Sequence, residues 1–175
     1  DLPKIVTEIP EAAKKVAERY WPGPLTMIFQ KSDLVPHGTT GGLDTVAVRM
    51  PDHPIARDLI LAGGGYISAP SANTSGRPSP TTAQHVEEDL TGKIDMIVDG
   101  GPVDIGVESS ILDVTVDPPM ILRPGAITKE MFESVVGTVA VDHTLIKPDS
   151  KEVPKAPGMK YRHYAPKAQL TVVEG

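Results

Sequence analysis

The chain has 175 residues, a formal net charge of −6 and an apolar share of 39 %, which is enough for one globular domain with a real core. With no cysteine, disulfides, thiol nucleophiles and thiolate zinc sites are excluded, and no apolar run approaches the ~18 residues of a membrane span. The acidic balance, with an isoelectric point near 5.3, argues against nucleic acid as a principal partner, because gripping phosphates calls for a basic surplus.

The elements follow in chain order. Asp1-Leu-Pro-Lys4 has no secretory pattern and reads as a helix lead-in, so a cytoplasmic address is expected. Pro10 opens a helix to about Trp21, with Ala13, Val16, Ala17, Tyr20 and Trp21 at helical spacing. Pro22-Gly-Pro24 ends it. Leu25 to Gln30 reads as a strand, His37 to Asp44 as a Gly/Thr-rich loop, and Thr45 to Met50 as a second strand. Pro54 starts a short helix to Ala62, Tyr66 to Ala69 reads as a short buried strand, and Ser71 to Pro80 as a polar loop. A helix is expected over Thr81 to Leu90 and another over Thr128 to Val136. Strands are expected over Ile94 to Val98, Val107 to Thr115 and Met120 to Leu122. Charge, proline and glycine dominate from Asp142 to Lys167, as in a linker. The irregular alternation of helices and strands predicts an α/β sandwich on a mixed sheet. Both ends read as cuts through a longer protein.

Four segments could carry chemistry. In Thr45-Val-Ala-Val-Arg49, the strand period puts Thr45, Ala47 and Arg49 on one face, a hydroxyl and a cation around a small residue. A guanidinium there suits a carboxylate or a phosphate, although a solvated arginine is the plainer reading. Ser71-Ala-Asn-Thr-Ser-Gly76, followed by Arg77-Pro-Ser-Pro-Thr-Thr82, offers hydroxyls, an amide and backbone N–H groups before a helix, as an anion site would. A plain capped loop would use the same residues. Gly106-Val-Glu-Ser-Ser110 sets polar groups in apolar surroundings, so they either bond the neighbouring loop or meet a ligand. Arg123 stands at a strand end before Pro124-Gly125, as a site residue or an ordinary exposed arginine. The five histidines show no metal-ligand spacing, and there is no Walker, G-x-S-x-G or G-x-G-x-x-G motif.

Taken in order, Trp21-Pro-Gly-Pro-Leu-Thr26, Thr45-Val-Ala-Val-Arg49, Ser68-Ala-Pro-Ser-Ala-Asn73 with Ser75-Gly76, Pro78-Ser-Pro80, Gly106-Val-Glu-Ser109 and Leu122-Arg-Pro-Gly125 resemble the Sua5/YrdC/YciO family of threonylcarbamoyl-AMP synthases. Pro157-Gly-Met-Lys-Tyr-Arg-His-Tyr-Ala-Pro166 looks like the linker of the Sua5 branch. The resemblance implies an α/β fold of α+β type: a twisted, mixed parallel/antiparallel YrdC-like sheet with flanking helices. It implies a partial catalytic domain over 1–141, a linker over 142–167, and over 168–175 the start of a Sua5 C-terminal domain. The family's N-terminal strands, with their Lys-x-Arg phosphate motif, have no counterpart, Gly64-Gly-Tyr-Ile67 departs from the usual small-Pro-Ile lead-in, and Ser110 stands where threonine is common. This chain alone is therefore expected to be weakly active or inactive, and its sheet edges unpaired. Threonine- and bicarbonate-dependent ATP–pyrophosphate exchange checks this, and full activity would refute it.

The implied enzyme is a nucleotidyltransferase that joins L-threonine, bicarbonate and ATP, with Mg²⁺ on the nucleotide, into threonylcarbamoyl-AMP and pyrophosphate. The product passes to a downstream threonylcarbamoyl-transfer complex acting on adenosine 37 of tRNA, so tRNA is met only indirectly and a membrane not at all. By motif position, Arg49, Ser71, Asn73 and Arg123 correspond to the catalytic set. Thr45, Ser71, Asn73, Ser79, Arg123 and either His163 or Tyr164 correspond to ATP contacts, and Arg49, Ala69 and Ser109 to threonine contacts. No protein metal ligand is implied. Two rival readings share the fold: a carbamoyl-adenylate-forming domain of the hydrogenase-maturation type, against which Lys160 to Pro166 speaks, and a non-catalytic RNA-binding module, which the acidic charge disfavours.

Overall fold

The computed structural model describes residues 1–143 and residue 171; the expected linker, with His163 and Tyr164, lies outside them. The described residues form two compact units, 1–68 with 107–143, and 69–106 with 171.

The first unit is built on a five-stranded sheet. In chain order it contains α1 (Leu2–Ile5), α2 (Glu11–Tyr20), β1 (Leu25–Gln30), β2 (Thr45–Arg49) and α3 (Pro54–Ala62). The second unit contributes α4 (Ala83–Leu90), and the chain then returns for β3 (Ser110–Asp113), β4 (Met120–Arg123), α5 (Lys129–Val136) and β5 (Ala140–Val141). Strand order is β2-β1-β3-β4-β5. The β1–β2 and β3–β4 pairs are antiparallel, while β1–β3 and β4–β5 are parallel. This is the mixed sheet with flanking helices that the sequence predicts.

One face of the sheet carries the main core. Leu25, Met27 and Phe29 of β1 alternate onto it and meet Leu112, Ile121, Ala13, Val16 and Phe132, all buried, with Val46 and Val48 packed at the margin. Helix α2 forms where its apolar residues recur every three to four positions, so Ala13 and Val16 lie on one inward stripe. Helix α5 starts at Thr128, whose hydroxyl accepts from the Met131 N–H, and presents Phe132 to the sheet. The Tyr20 ring meets Phe132 edge-on at 6.0 Å, and its hydroxyl donates to the Met131 carbonyl at 2.9 Å. A smaller cluster of Ile28, Ile111 and Leu122 lies apart from that core, with Met120 packed beside it.

The helix expected over 10–21 and the strands over 25–30, 45–50 and 120–122 form within a residue or so of their expected bounds. The strand expected over 107–115 shortens to Ser110–Asp113. Two others do not form. Tyr66 to Ala69 and Ile94 to Val98 lie in no strand, and Ile67 and Met96 are 53 % and 77 % exposed. Their composition suits a ladder, but a strand exists only where a neighbour supplies hydrogen bonds. Among the described residues none pairs with them. Helix α1 and strand β5 are too short to declare themselves by periodicity.

The turn after β4 is held unusually close to the start of β3. Ser110 is fully buried, and its hydroxyl donates to the Ile127 carbonyl at 2.8 Å and accepts from the Ile127 N–H at 3.0 Å. Gly125 lies so near that a Cβ there would sit 2.5 Å from the Ser110 nitrogen and 2.6 Å from the Glu108 oxygen. Backbone cannot yield as a flexible side chain does. Gly125→Ala is therefore expected to destabilise the protein by about 1–3 kcal/mol, read from urea midpoints; an unchanged midpoint would show that the turn relaxes freely.

Candidate active site

The face of the sheet opposite the main core carries the polar residues. Strand pairing sets Thr26 beside Arg49 on one side and Ile111 on the other, and Ile111 beside Arg123. Laterally paired residues share a face, so one row runs Arg49–Thr26–Ile111–Arg123 across four strands. The two arginine backbones are three strand spacings apart, about 14 Å.

Arg123 owes its place in that row to a register shift. Leu112 pairs with Ile121 and Ile111 with Arg123, which leaves Leu122 without a partner of its own. Such a β-bulge puts two residues opposite one and re-aims the side chain that follows. Ile121 accordingly joins the main core, Leu122 joins Ile28 and Ile111, and Arg123 turns to the start of β3. Its Nε donates to the Ser109 carbonyl and its Nη2 to the Ser109 hydroxyl, both at 3.0 Å. The Ser109 Oγ also lies 2.7 Å from the Thr26 Oγ1. Ser109 is 8 % exposed, so these bonds operate in a partly dry setting, where polar contacts gain strength.

Arg49 is exposed, and its Nε donates to the Gly23 carbonyl at 3.1 Å. The Gly23 N–H in turn donates to the Met50 carbonyl at 2.8 Å. A Cβ on Gly23 would fall 2.6 Å from the Tyr20 oxygen, so glycine is required for the Pro22-Gly-Pro24 turn to reach the end of β2. Thr45 shares the face of Arg49 at the other end of β2, four residues or about 13 Å away.

In the second unit the Ser/Asn loop is organised by one carboxylate. Asp89 in the last turn of α4 has a side chain only 6 % exposed and pairs with the Arg77 guanidinium. Its Oδ2 accepts from the Thr74 N–H at 3.1 Å and the Thr74 hydroxyl at 3.4 Å. An acid at a helix C-terminus opposes the helix dipole, so Asp89 serves the loop rather than the helix. Asn73 donates through Nδ2 to the Thr74 and Arg77 carbonyls at 3.0 and 3.1 Å. Its Oδ1 is buried and accepts no hydrogen bond among the described residues. Ser71 and Ala69 are exposed, and Ser79 is half-buried.

Of the residues nominated from sequence, the structure gathers Arg49, Ser109 and Arg123 on one sheet face, with Thr45 farther along it. Ala69, Ser71, Asn73 and Ser79 stand in the second unit. Of the two readings open for Gly106–Ser110, Ser110 takes the neighbouring-loop bond, while Ser109 meets Thr26 and Arg123. Sequence reasoning missed Thr26 and Asp89. The signal for Thr26 was a hydroxyl inside the apolar run Leu25–Phe29, and for Asp89 an acid beside Leu90 on a helix. Their partners lie 83 and 15 positions away. Among the described residues no three His, Asp or Glu side chains are grouped to hold a metal ion, and no helix is long and apolar enough to cross a membrane.

A family model described as telomere recombination, Sua5_yciO_yrdC, matches residues 1–125, and one described as the threonylcarbamoyl-AMP synthase C-terminal domain matches 127–175. The chain is 55 % identical to the threonylcarbamoyl-AMP synthase of Pyrococcus abyssi over 99 % of its own length and 51 % of that protein's. Identity to the Bacillus subtilis protein of the same name is also 55 %, over 95 % of this chain and 48 % of the other. The crystal structure of P. abyssi Sua5 complexed with L-threonine superposes with a TM-score of 0.91 at 53 % identity, covering 96 % of this chain and 49 % of that one. The chain thus spans about half the length of these relatives, and it belongs to the Sua5–YciO–YrdC family.

Proposed function

We propose that the protein carrying this chain forms threonylcarbamoyl-AMP and pyrophosphate from L-threonine, bicarbonate and ATP, in the cytoplasm, and hands the adenylate to a tRNA-modifying complex. The observation that carries this reading is the cross-sheet row of Arg49, Thr26 and Arg123 with Ser109, in a chain 55 % identical to proteins named for that activity. Those names favour threonine over carbamoyl phosphate, and the net charge of −6 speaks against an RNA-binding module.

The chemistry asks for little beyond placement. An oxygen of threonine carbamate bonds to the α-phosphorus of ATP, the bond from that phosphorus to the bridging oxygen breaks, and pyrophosphate leaves. Such a reaction is driven by in-line alignment and by donors that gather negative charge. Arg49, with its guanidinium exposed at the end of β2, is assigned to the threonine carboxylate, and Ser109 and the Ala69 backbone to the rest of the amino acid. Arg123, Thr45, Ser71 and Ser79 are assigned to the nucleotide. Asn73, whose Nδ2 braces the Thr74 and Arg77 carbonyls, is assigned to the nucleotide-phosphate loop as well. His163 or Tyr164 closes over the nucleotide in this scheme. ATP arrives as its Mg²⁺ complex, the metal riding on the phosphates as is usual for this ion. The catalytic body is assigned to residues 1–141, with a linker over 142–167 and the C-terminal domain from 168; the pairing of Ala140–Val141 with β4 supports keeping 127–141 with the sheet, although the C-terminal-domain model matches from residue 127.

Three substitutions at two residues test the assignments. Arg49→Lys and Arg49→Ala are both expected to weaken L-threonine binding by at least tenfold in calorimetric titration, because an ammonium cannot reproduce the planar fork. Full retention of affinity in Arg49→Lys would remove Arg49 from the carboxylate. Asp89→Asn is expected to raise the KM for ATP on the order of tenfold by releasing Thr74 and Arg77, with threonine affinity within twofold of wild type. Equal losses toward both substrates would instead point to general unfolding of the second unit.

A further inference from the structure

We infer that Thr26 is a positioning residue whose hydroxyl fixes the orientation and the hydrogen-bonding polarity of Ser109 toward the amino-acid substrate. The inference rests on the function proposed above, and it concerns a residue to which the motif assignments give no role.

A serine hydroxyl has one proton and two lone pairs. At Ser109 the Nη2 of Arg123, which can only donate, occupies one lone pair at 3.0 Å. Thr26 Oγ1, at 2.7 Å, occupies a second position and can act as donor or acceptor. Among the described residues no other group takes the third position, which is left for a ligand, and its character depends on Thr26. When Thr26 donates, Ser109 keeps its own proton to offer a carboxylate or carbamate oxygen. When Thr26 accepts, Ser109 offers a lone pair to an ammonium or a hydroxyl. A threonine molecule presents groups of both kinds, and the role Thr26 takes decides which of them Ser109 meets.

The backbone around Ser109 is held by other bonds, so Thr26 acts on the hydroxyl rotor rather than on the loop. Arg123 Nε holds the Ser109 carbonyl, the Ser110 N–H donates to the Pro24 carbonyl at 3.0 Å, and the Ser110 hydroxyl holds both polar groups of Ile127. Thr26 stands in β1 between Arg49 and Ile111, where valine has the same shape and suits a strand equally well. Removing the hydroxyl alone leaves Ser109 in place, with its proton no longer directed.

The test is calorimetric titration of the intact protein with L-threonine, with thermal unfolding recorded alongside, for wild type, Thr26→Val, Thr26→Ser, Ser109→Ala and the Thr26→Val/Ser109→Ala pair. Thr26→Val is expected to weaken binding on the order of tenfold, Thr26→Ser to bind within twofold of wild type, and Thr26→Val to add less than twofold once Ser109 is alanine. The inference is overturned if Thr26→Val binds as wild type does, if Thr26→Ser is as weak as Thr26→Val, or if Thr26→Val costs as much without Ser109 as with it. Should Thr26→Val not fold, Thr26→Ala replaces it under the same expectations. A wild type that binds no L-threonine overturns the functional reading itself and this inference with it, whereas binding by wild type with no change in Thr26→Val overturns the inference alone.

Discussion

Between Ile111 and Leu112 the ladder joining β3 to β4 slips by one residue, and the position of Arg123 follows from that slip. With strict alternation, Ile121 and Arg123 would share a face, and a cation would be driven toward the main core. The bulge lets Ile121 and Leu122 fill the two opposite apolar clusters and still delivers Arg123 to Ser109. The buried Ser110 hydroxyl and the close approach of Gly125 then fix the turn that follows. The polar row is in this sense a product of core packing: the hydrophobic clusters choose the register, and the register chooses which arginine meets which serine.

The second unit solves a similar problem without a sheet. Its Ser/Asn loop has no ladder to define it, and a single buried carboxylate does the ordering by holding Thr74 and Arg77 on either side of Ser75-Gly76. Removing the Asp89 carboxylate leaves the Thr74 N–H without its acceptor and Arg77, itself more than half exposed, without its anchor. Such a loop therefore resists substitution at Asp89 more than at its exposed serines. In the function proposed above this ordering would matter, since a donor placed in advance needs no reorganisation when charge develops.

Much of this was legible in the sequence, and the failures share a cause. The start of α3 was set by Pro54 and that of α5 lay at Thr128, because helices begin on local signals. The face of Arg49 followed from the period of Thr45–Arg49. Features that depend on a distant partner were not readable. The bulge is a property of two strands in register, and nothing in Met120–Arg123 alone reveals it. Thr26 could be seen as a hydroxyl out of place, but Ser109 lies 83 positions away. Ile94 to Val98 has the composition of a strand, and no neighbour among the described residues pairs with it.

The central claim is that the sheet face bearing Arg49, Ser109 and Arg123 receives the amino acid beside the nucleotide. A crystal structure of the protein with L-threonine and a non-hydrolysable ATP analogue tests this most directly. The account predicts the threonine carboxylate on the Arg49 guanidinium, another polar group of the amino acid within hydrogen-bond distance of Ser109 Oγ, and the nucleotide in reach of Arg123. Threonine bound elsewhere, with Arg49 and Ser109 untouched, would contradict it.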